Sequence, residues 1–447
     1  MRTQLKHLTL TTFLAVMFLF SLQGALASPA TTSASINIPT CTGERCQAQR
    51  PITATEAYTI FLPLIQRHFP ILTEFRGLWV TRFDWTRFGY TITQSDLDAI
   101  VDRAAAAHFN VLLFQVRGTA DAYYSSTLEP WAARLTGSTT KTLGVDPGFD
   151  PLTYMITRAH QSGLQVHAYI NIFPTWLCGV GAPPNTTTPQ HLFWTLSYAA
   201  STWSAWRIYS DPETPMNLDT CSDYLWATPA LSLTRNHITA VAVDIVQRYN
   251  VDGIHLDLIR YPNATYSFDP YTMQAFSDAL QISPTLTFAA WRPNFQRAQI
   301  NAIVQQIYSA TTTLKPDLLV SAAVWPNYAS GYNSYYQDSK DWLANGFIDA
   351  NLPMLYSSDI LYDLPAWTAR AQGFLDDAHG RYVFPGISTN YTDVHQIINR
   401  IEAARSLGAP GVALFSYGAL NTYDYWDDLA NGPFAITATI PKPDWKP

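Results

Sequence analysis

From Arg76 onward the chain repeats one pattern: apolar runs of five to eight residues, separated by stretches that place apolar side chains at helical spacing. Short apolar runs bounded by turn residues are the mark of strands buried on both faces, and alternation with helices predicts parallel βαβ units. The runs are Gly77–Thr81, Val111–Arg117, Gln165–Asn171, Gly253–Asp257, Leu319–Trp325, Asp349–Tyr356, Tyr382–Ile387 and Gly411–Tyr417. Helical periodicity covers 95–108, 151–162, 235–249, 297–314 and 392–407. Gly163 and Gly408 follow helical stretches and suit left-handed helix ends. Eight strands in this alternation close an α/β fold, the (β/α)8 TIM barrel. No fixed-period repeat supports a solenoid or propeller.

The barrel is expected over residues 71–430, with a C-terminal tail over 431–447. Long βα-loop insertions, about 173–233 and 261–295, would stand over the active face. The first 27 residues read as a signal peptide: Arg2 and Lys6 precede the apolar run Leu8–Leu22, and Ala25-Leu26-Ala27 forms a small-residue cleavage site. Residues 28–70 are rich in Ser, Thr and Pro and read as a linker. No later segment has the roughly 20 apolar residues that a membrane span needs, so a secreted or cell-envelope location is expected. Four cysteines suit an oxidising compartment, with Cys41 expected to pair with Cys46 and Cys178 with Cys221.

The formal charge of −7 comes without a basic run, which argues against nucleic acid as a partner. With 47% hydrophobic and 14% charged residues, the chain can bury a large core. Its 14 Trp and 25 Tyr suit either that core or the stacking of sugars. No CxxC pair, HExxH pair, Gly-x-Ser-x-Gly elbow or phosphate-binding glycine loop is present, so no metal or cofactor is expected.

Polar residues at C-terminal strand ends of such a barrel converge on one mouth. Those positions supply Arg82, Asp84 and Trp85 after the first run, and Gln115 and Arg117 with Asp121, Glu129 and Trp131 beyond the second. The third gives Asn171; the fourth His255, Asp257 and Arg260; the fifth Trp325; the sixth Tyr356; the eighth Tyr417. Asp257 is the first candidate for catalysis, because a carboxylate ending an apolar strand is expensive to bury without a task. A brace with Arg260 or another arginine is the competing reading. Glycoside cleavage needs a second carboxyl group; Glu129 is the first candidate, ahead of Asp84 and Asp121, although a loop acid can equally be solvated. His255 and His167 alternate with apolar residues and suit hydrogen-bonded core positions as well as substrate contacts.

From about Glu74 to Asp428 the chain resembles the glycosyl hydrolase-like 10 family, formerly a domain of unknown function. The resemblance rests on Phe75-Arg-Gly-Leu-Trp-Val-Thr81 with Asp84-Trp85, Asn110–Arg117, Asp121-Ala-Tyr-Tyr-Ser-Ser126, Glu129-Pro-Trp131, Leu135-Thr-Gly137, Asp146–Pro151 and His167-Ala-Tyr169. Asp252-Gly-Ile-His-Leu-Asp257, Arg260-Tyr-Pro262, Pro353-Met-Leu-Tyr356 and Gly411–Tyr417 follow in the family's order. It implies a barrel enzyme of the cell envelope acting on glycan strands, with peptidoglycan freed of its peptides as the best-supported substrate class. Many relatives carry consecutive acids at the end of the fourth strand; here Asp257 precedes Leu258, so Asp257 is the matching acid.

The expectation is a secreted glycoside hydrolase with a polysaccharide substrate. A non-catalytic carbohydrate-binding barrel, using Trp85, Trp131, Trp325 and Tyr417 as stacking platforms, is the alternative. A structural envelope protein ranks third, since fold never fixes function.

Overall fold

Each apolar run becomes a strand because its side chains alternate between two dry environments. In the computed structural model, which describes residues 72–200 and 202–446, the strands are β1 (Phe75–Val80), β2 (Val111–Arg117), β3 (Gln165–Asn171), β4 (Pro174–Leu177), β5 (Tyr224–Trp226), β6 (Gly253–Asp257), β7 (Leu319–Val324), β8 (Ala350–Pro353), β9 (Tyr382–Val383), β10 (Gly386–Ser388) and β11 (Gly411–Phe415). The expected signal peptide, linker and Cys41–Cys46 pair lie outside the described residues.

The parallel sheet has the order β10-β11-β1-β2-β3-β6-β7-β8-β9. Its two ends are halves of one stave. β9 pairs with β8 and β10 with β11, and only Phe384 and Pro385 separate them. Phe384 N–H donates to the Asn351 carbonyl at 3.0 Å, and Ala413 N–H donates to the Pro385 carbonyl at 3.2 Å. The proline has no N–H of its own to place, so the stave crosses it and the barrel closes.

Inward residues Phe75, Trp79, Val111, Leu113, Tyr169, Leu319, Leu352 and Phe384 form one apolar cluster. Their outward neighbours Leu78, Val80, Leu112, Phe114, Val166, Ile254 and Val320 belong to a second cluster beneath the helices, as the two-residue period of a strand demands. Near the barrel's middle, Trp79 Nε1–H donates to His255 Nε2 at 3.0 Å, and His255 Nδ1 lies 2.9 Å from Ser321 Oγ. Burial, and after it the neighbouring His167, drives the His255 imidazole down to about 3. The neutral ring therefore accepts from Trp79 and donates to Ser321. One layer lower, Gly253 faces His167, and a Cβ there would lie 2.6 Å from the imidazole and 2.7 Å from the Leu319 carbonyl oxygen.

At the N-terminal end the last residues fold back across the barrel. Thr439 bridges Thr73. Trp445 Nε1–H donates to Asp349 Oδ1, and Lys446 Nζ pairs with Asp349 Oδ2, both at 2.9 Å. At the opposite end, the insertion after β3 contains the antiparallel pair β4–β5, and a disulfide joins Cys178 to Cys221. No helix among the described residues is long and apolar enough to cross a membrane.

Gly253→Ala must push His167 or strand β7 aside in a full interior. A loss of about 3 kcal/mol is expected, measured as a lowered thermal midpoint by circular dichroism; a midpoint equal to the parent's would contradict this packing.

Candidate active site

Asp257 ends β6 with its carboxyl group turned into the mouth, two residues above the buried His255. Tyr169 O–H donates to Oδ2 at 2.5 Å, and the Leu258 amide donates to Oδ1 at 2.6 Å. Burial, and then the charge of Asp257, pushes the Tyr169 hydroxyl well above its ordinary value, so it remains a donor. Leu258 takes φ +51° to make its contact, a left-handed conformation that side chains other than Gly, Asn and Asp seldom adopt. Both oxygens of Asp257 are thus held in place.

Aromatic walls rise on either side. Trp325 stacks on Tyr335 with centroids 3.7 Å apart. The Arg260 guanidinium lies 5.1 Å from each of those rings and 5.5 Å from Trp226. Burial lowers Arg260 from its usual value, opposed by the nearby charge of Asp257. Tyr356 stacks on Phe415 at 5.2 Å. Burial raises the Tyr356 hydroxyl well above its ordinary value, and Asp257 adds to the shift.

Asp84 comes from the short helix Arg82–Trp85 that follows β1. Thr81 N–H donates to Oδ2 at 2.7 Å and Gly418 N–H to Oδ1 at 3.1 Å. Burial outweighs these bonds and pushes the Asp84 carboxyl up to about 6. A Cβ on Gly418 would stand 2.2 Å from Asp84 Oδ1, so only glycine lets the acid lie there.

Glu129, the first choice from sequence for the second acid, is committed elsewhere. Arg117 Nε and Nη2 donate to it at 2.9 and 2.8 Å, and His237 Nε2 lies 3.0 Å from Oε1. Neither the Glu129 nor the Arg117 side chain has exposed surface. Burial alone would raise this carboxyl, but Arg117 and His237 outweigh it and hold the acid down at about 2. Arg117 also donates to the carbonyls of Asn171 and Ile172. The group braces the loop after β2 against β3, and an ion pair this dry has no oxygen left for a sugar.

Other expected contacts also move inward. His255 lies in the interior layer beneath Asp257 rather than at the surface of the mouth. Gln115 is buried, with Oε1 accepting from Arg82 N–H at 2.9 Å. Asp121 is buried and accepts from Thr119 N–H at 2.6 Å. Trp85 points away from the barrel axis and packs on Phe114 and Tyr123. Asn171 is buried, Tyr417 is buried against Trp426, and Trp131 packs on the outer cluster. Asp257, Arg260, Trp325, Tyr356 and Asp84 remain at the mouth. Sequence reasoning missed Tyr169, although it points inward two residues before Asn171. It also missed Tyr335 and, on β5, Tyr224, whose hydroxyl accepts from Arg82 Nη2 at 2.8 Å.

The glycosyl hydrolase-like 10 family matches residues 74–374, and the chain belongs to that family. It is 24% identical over 418 residues to glycosyl hydrolase YngK of Bacillus subtilis, across 83% of this chain and 74% of that protein. It is 26% identical over 312 residues to glycosyl hydrolase DigH of Escherichia coli K12, across 63% of this chain and 65% of that protein. The glycoside hydrolase domain of PgaB (BpsB) from Bordetella bronchiseptica shares the fold at TM-score 0.57 and 11% identity, across 80% of this chain and 98% of the domain. Alpha-L-fucosidase isoenzyme 2 from Paenibacillus thiaminolyticus does so at TM-score 0.52 and 16% identity, across 80% of this chain and 48% of the fucosidase.

Glu129→Gln leaves Arg117 buried without its counter-charge and should cost about 3–5 kcal/mol, read from denaturant unfolding. The folded value of about 2 lies below the ordinary 4.5. The parent's extra stability is therefore complete above about pH 4.5 and fades as pH falls toward 2, and the variant should lack that acid-dependent loss.

Proposed function

We propose that this glycosyl hydrolase-like 10 protein is an exported glycosidase that cleaves O-glycosidic bonds in a polysaccharide, with peptide-free glycan strands of peptidoglycan as its first substrate class. The observation that carries the reading is Asp257, held by Tyr169 and Leu258 between aromatic walls at the barrel mouth. Asp257 serves as nucleophile or as base for water, and Asp84 serves as proton donor. Burial raises Asp84 to about 6, which keeps a proton available in weakly acidic solution, as a general acid requires. Asp84 protonates the glycosidic oxygen as the C–O bond breaks, while Asp257 attacks the sugar carbon or takes a proton from attacking water.

Export rests on the leader-like first 27 residues and on the disulfide in the first insertion, a bond typical of oxidising compartments. The peptidoglycan assignment rests on the family resemblance, while YngK and DigH, both named glycosyl hydrolases, support the hydrolase reading.

Asp257→Asn should lower release of reducing ends from such strands by roughly a thousandfold; undiminished release would remove Asp257 from the mechanism. A proton donor works while protonated, so the rate should fall as pH rises through about 6, the value to which Asp84 is raised, and Asp84→Asn should abolish that basic limb. Gly418→Ala should shift the same limb, because its methyl group takes the place of Asp84 Oδ1.

A further inference from the structure

Beside Asp84 the rim of the mouth carries exposed aromatic rings. Phe83, Phe88 and Tyr90 are 54%, 66% and 63% exposed, unlike the enclosed Trp79 and Trp85. The Arg134 guanidinium lies 4.7 Å from the Phe83 ring and 4.9 Å from the Phe88 ring, between the two. Its Nε and Nη2 donate to the Thr86 hydroxyl and carbonyl at 2.9 and 3.1 Å, which fixes its position. Arg82 covers Phe83 from the inner side at 4.2 Å.

The arginines of this ridge differ in their partners. Arg87 pairs with Asp96 at 2.8 Å, whereas Arg82 and Arg134 make no salt bridge among the described residues. Arg82 is only 5% exposed, donates to the Tyr224 hydroxyl and is favoured by the charge of the nearby Asp121. Burial pushes the Arg134 guanidinium below its usual value, and the charges of Arg82 and Asp121 act on it in opposite directions. An anion settling against the Arg134 guanidinium gains charge-assisted hydrogen bonds. The flat ring faces beside it offer the apolar half of a sugar contact.

We propose that Phe83, Phe88 and Arg134, with Arg82 on their inner edge, form an outlying subsite for a glycan chain that bears carboxylates. The proposal rests on the glycosidase reading above, because Phe83 directly precedes Asp84 and the ridge continues the mouth. Sugars beyond the cleaved bond lie on the rings, and a carboxylate on one of them meets the Arg134 guanidinium. The site therefore favours long, acidic chains over short or neutral ones.

The test is affinity electrophoresis of the full chain through gels holding peptide-free peptidoglycan strands, in parallel with the same strands after amidation of their carboxylates. Two aromatic contacts are at stake, so Phe83→Ala/Phe88→Ala should weaken binding about 10-fold with an unchanged melting temperature, since both rings stand in solvent. Arg134→Gln should bind native and amidated strands alike, and Arg134→Lys should regain part of the preference for the native ones. If the parent cleaves the strands but the double variant binds them as the parent does, the subsite is wrong while the glycosidase reading stands. If the parent releases nothing from them, the glycosidase reading on this substrate fails first. A parent that self-associates through these rings, with a monomeric double variant, would assign the ridge to a second copy of the chain and overturn the proposal.

Discussion

The hydrogen bond from Trp79 to His255 across the barrel interior sets the geometry of everything above it. Once His255 points inward, the two-residue period of the strand turns Asp257 inward as well, one layer nearer the mouth, and turns Gly253 inward one layer below. The imidazole is full: it accepts from the indole, donates to Ser321 and is kept neutral by burial. A slip of one residue in β6 would send Asp257 beneath the helices and bring Leu256 to the mouth. The lower layer guards against it, because His167 and the Leu319 carbonyl leave no room for a side chain at 253.

Charge divides between two levels of dryness. Arg117 and Glu129 are fully enclosed, and an isolated charge there would be prohibitive; together with His237 they satisfy one another and hold the loop after β2. Asp257 and Asp84 lie where side chains remain partly exposed, and their partners are hydroxyl and amide groups rather than cations at salt-bridge distance. That difference separates a bracing carboxylate from one free to act on a ligand. In sequence, Glu129 and Asp84 are both simply acids beyond a strand end.

All eight staves were legible because each is an apolar run whose burial on both faces leaves no other reading. The break in the seventh at Pro385 could be seen as a proline but not as the point where the sheet closes, since closure depends on neighbours from strands far apart in the chain. The helix expected from residue 297 begins at Phe288: Pro293 suggests a boundary, yet the Thr287 side chain caps the true start. Trp85 was assigned to the mouth by adjacency to Asp84. Neighbouring residues on a helix point about 100° apart, so when Asp84 faces Gly418, Trp85 faces the helices. The walls formed by Tyr224, Trp226 and Tyr335 were out of reach of strand-end reasoning, because they arrive on loops that fold back over the barrel.

Those loops set the surroundings of the acids near the mouth. β5 brings Tyr224 onto Arg82 and Trp226 toward Arg260, while the segment after β11 brings Gly418 to within a hydrogen bond of Asp84. Each contact removes water from the mouth, and removing water acts against a carboxylate's charge. At Asp84 this desolvation exceeds the help of two backbone amides; at Glu129 it loses to a guanidinium and an imidazole. The fold supplies cations at Glu129, which stays charged, and only hydroxyl and amide groups at Asp84, which burial lets hold a proton, so the ionisation of each acid follows from its partners.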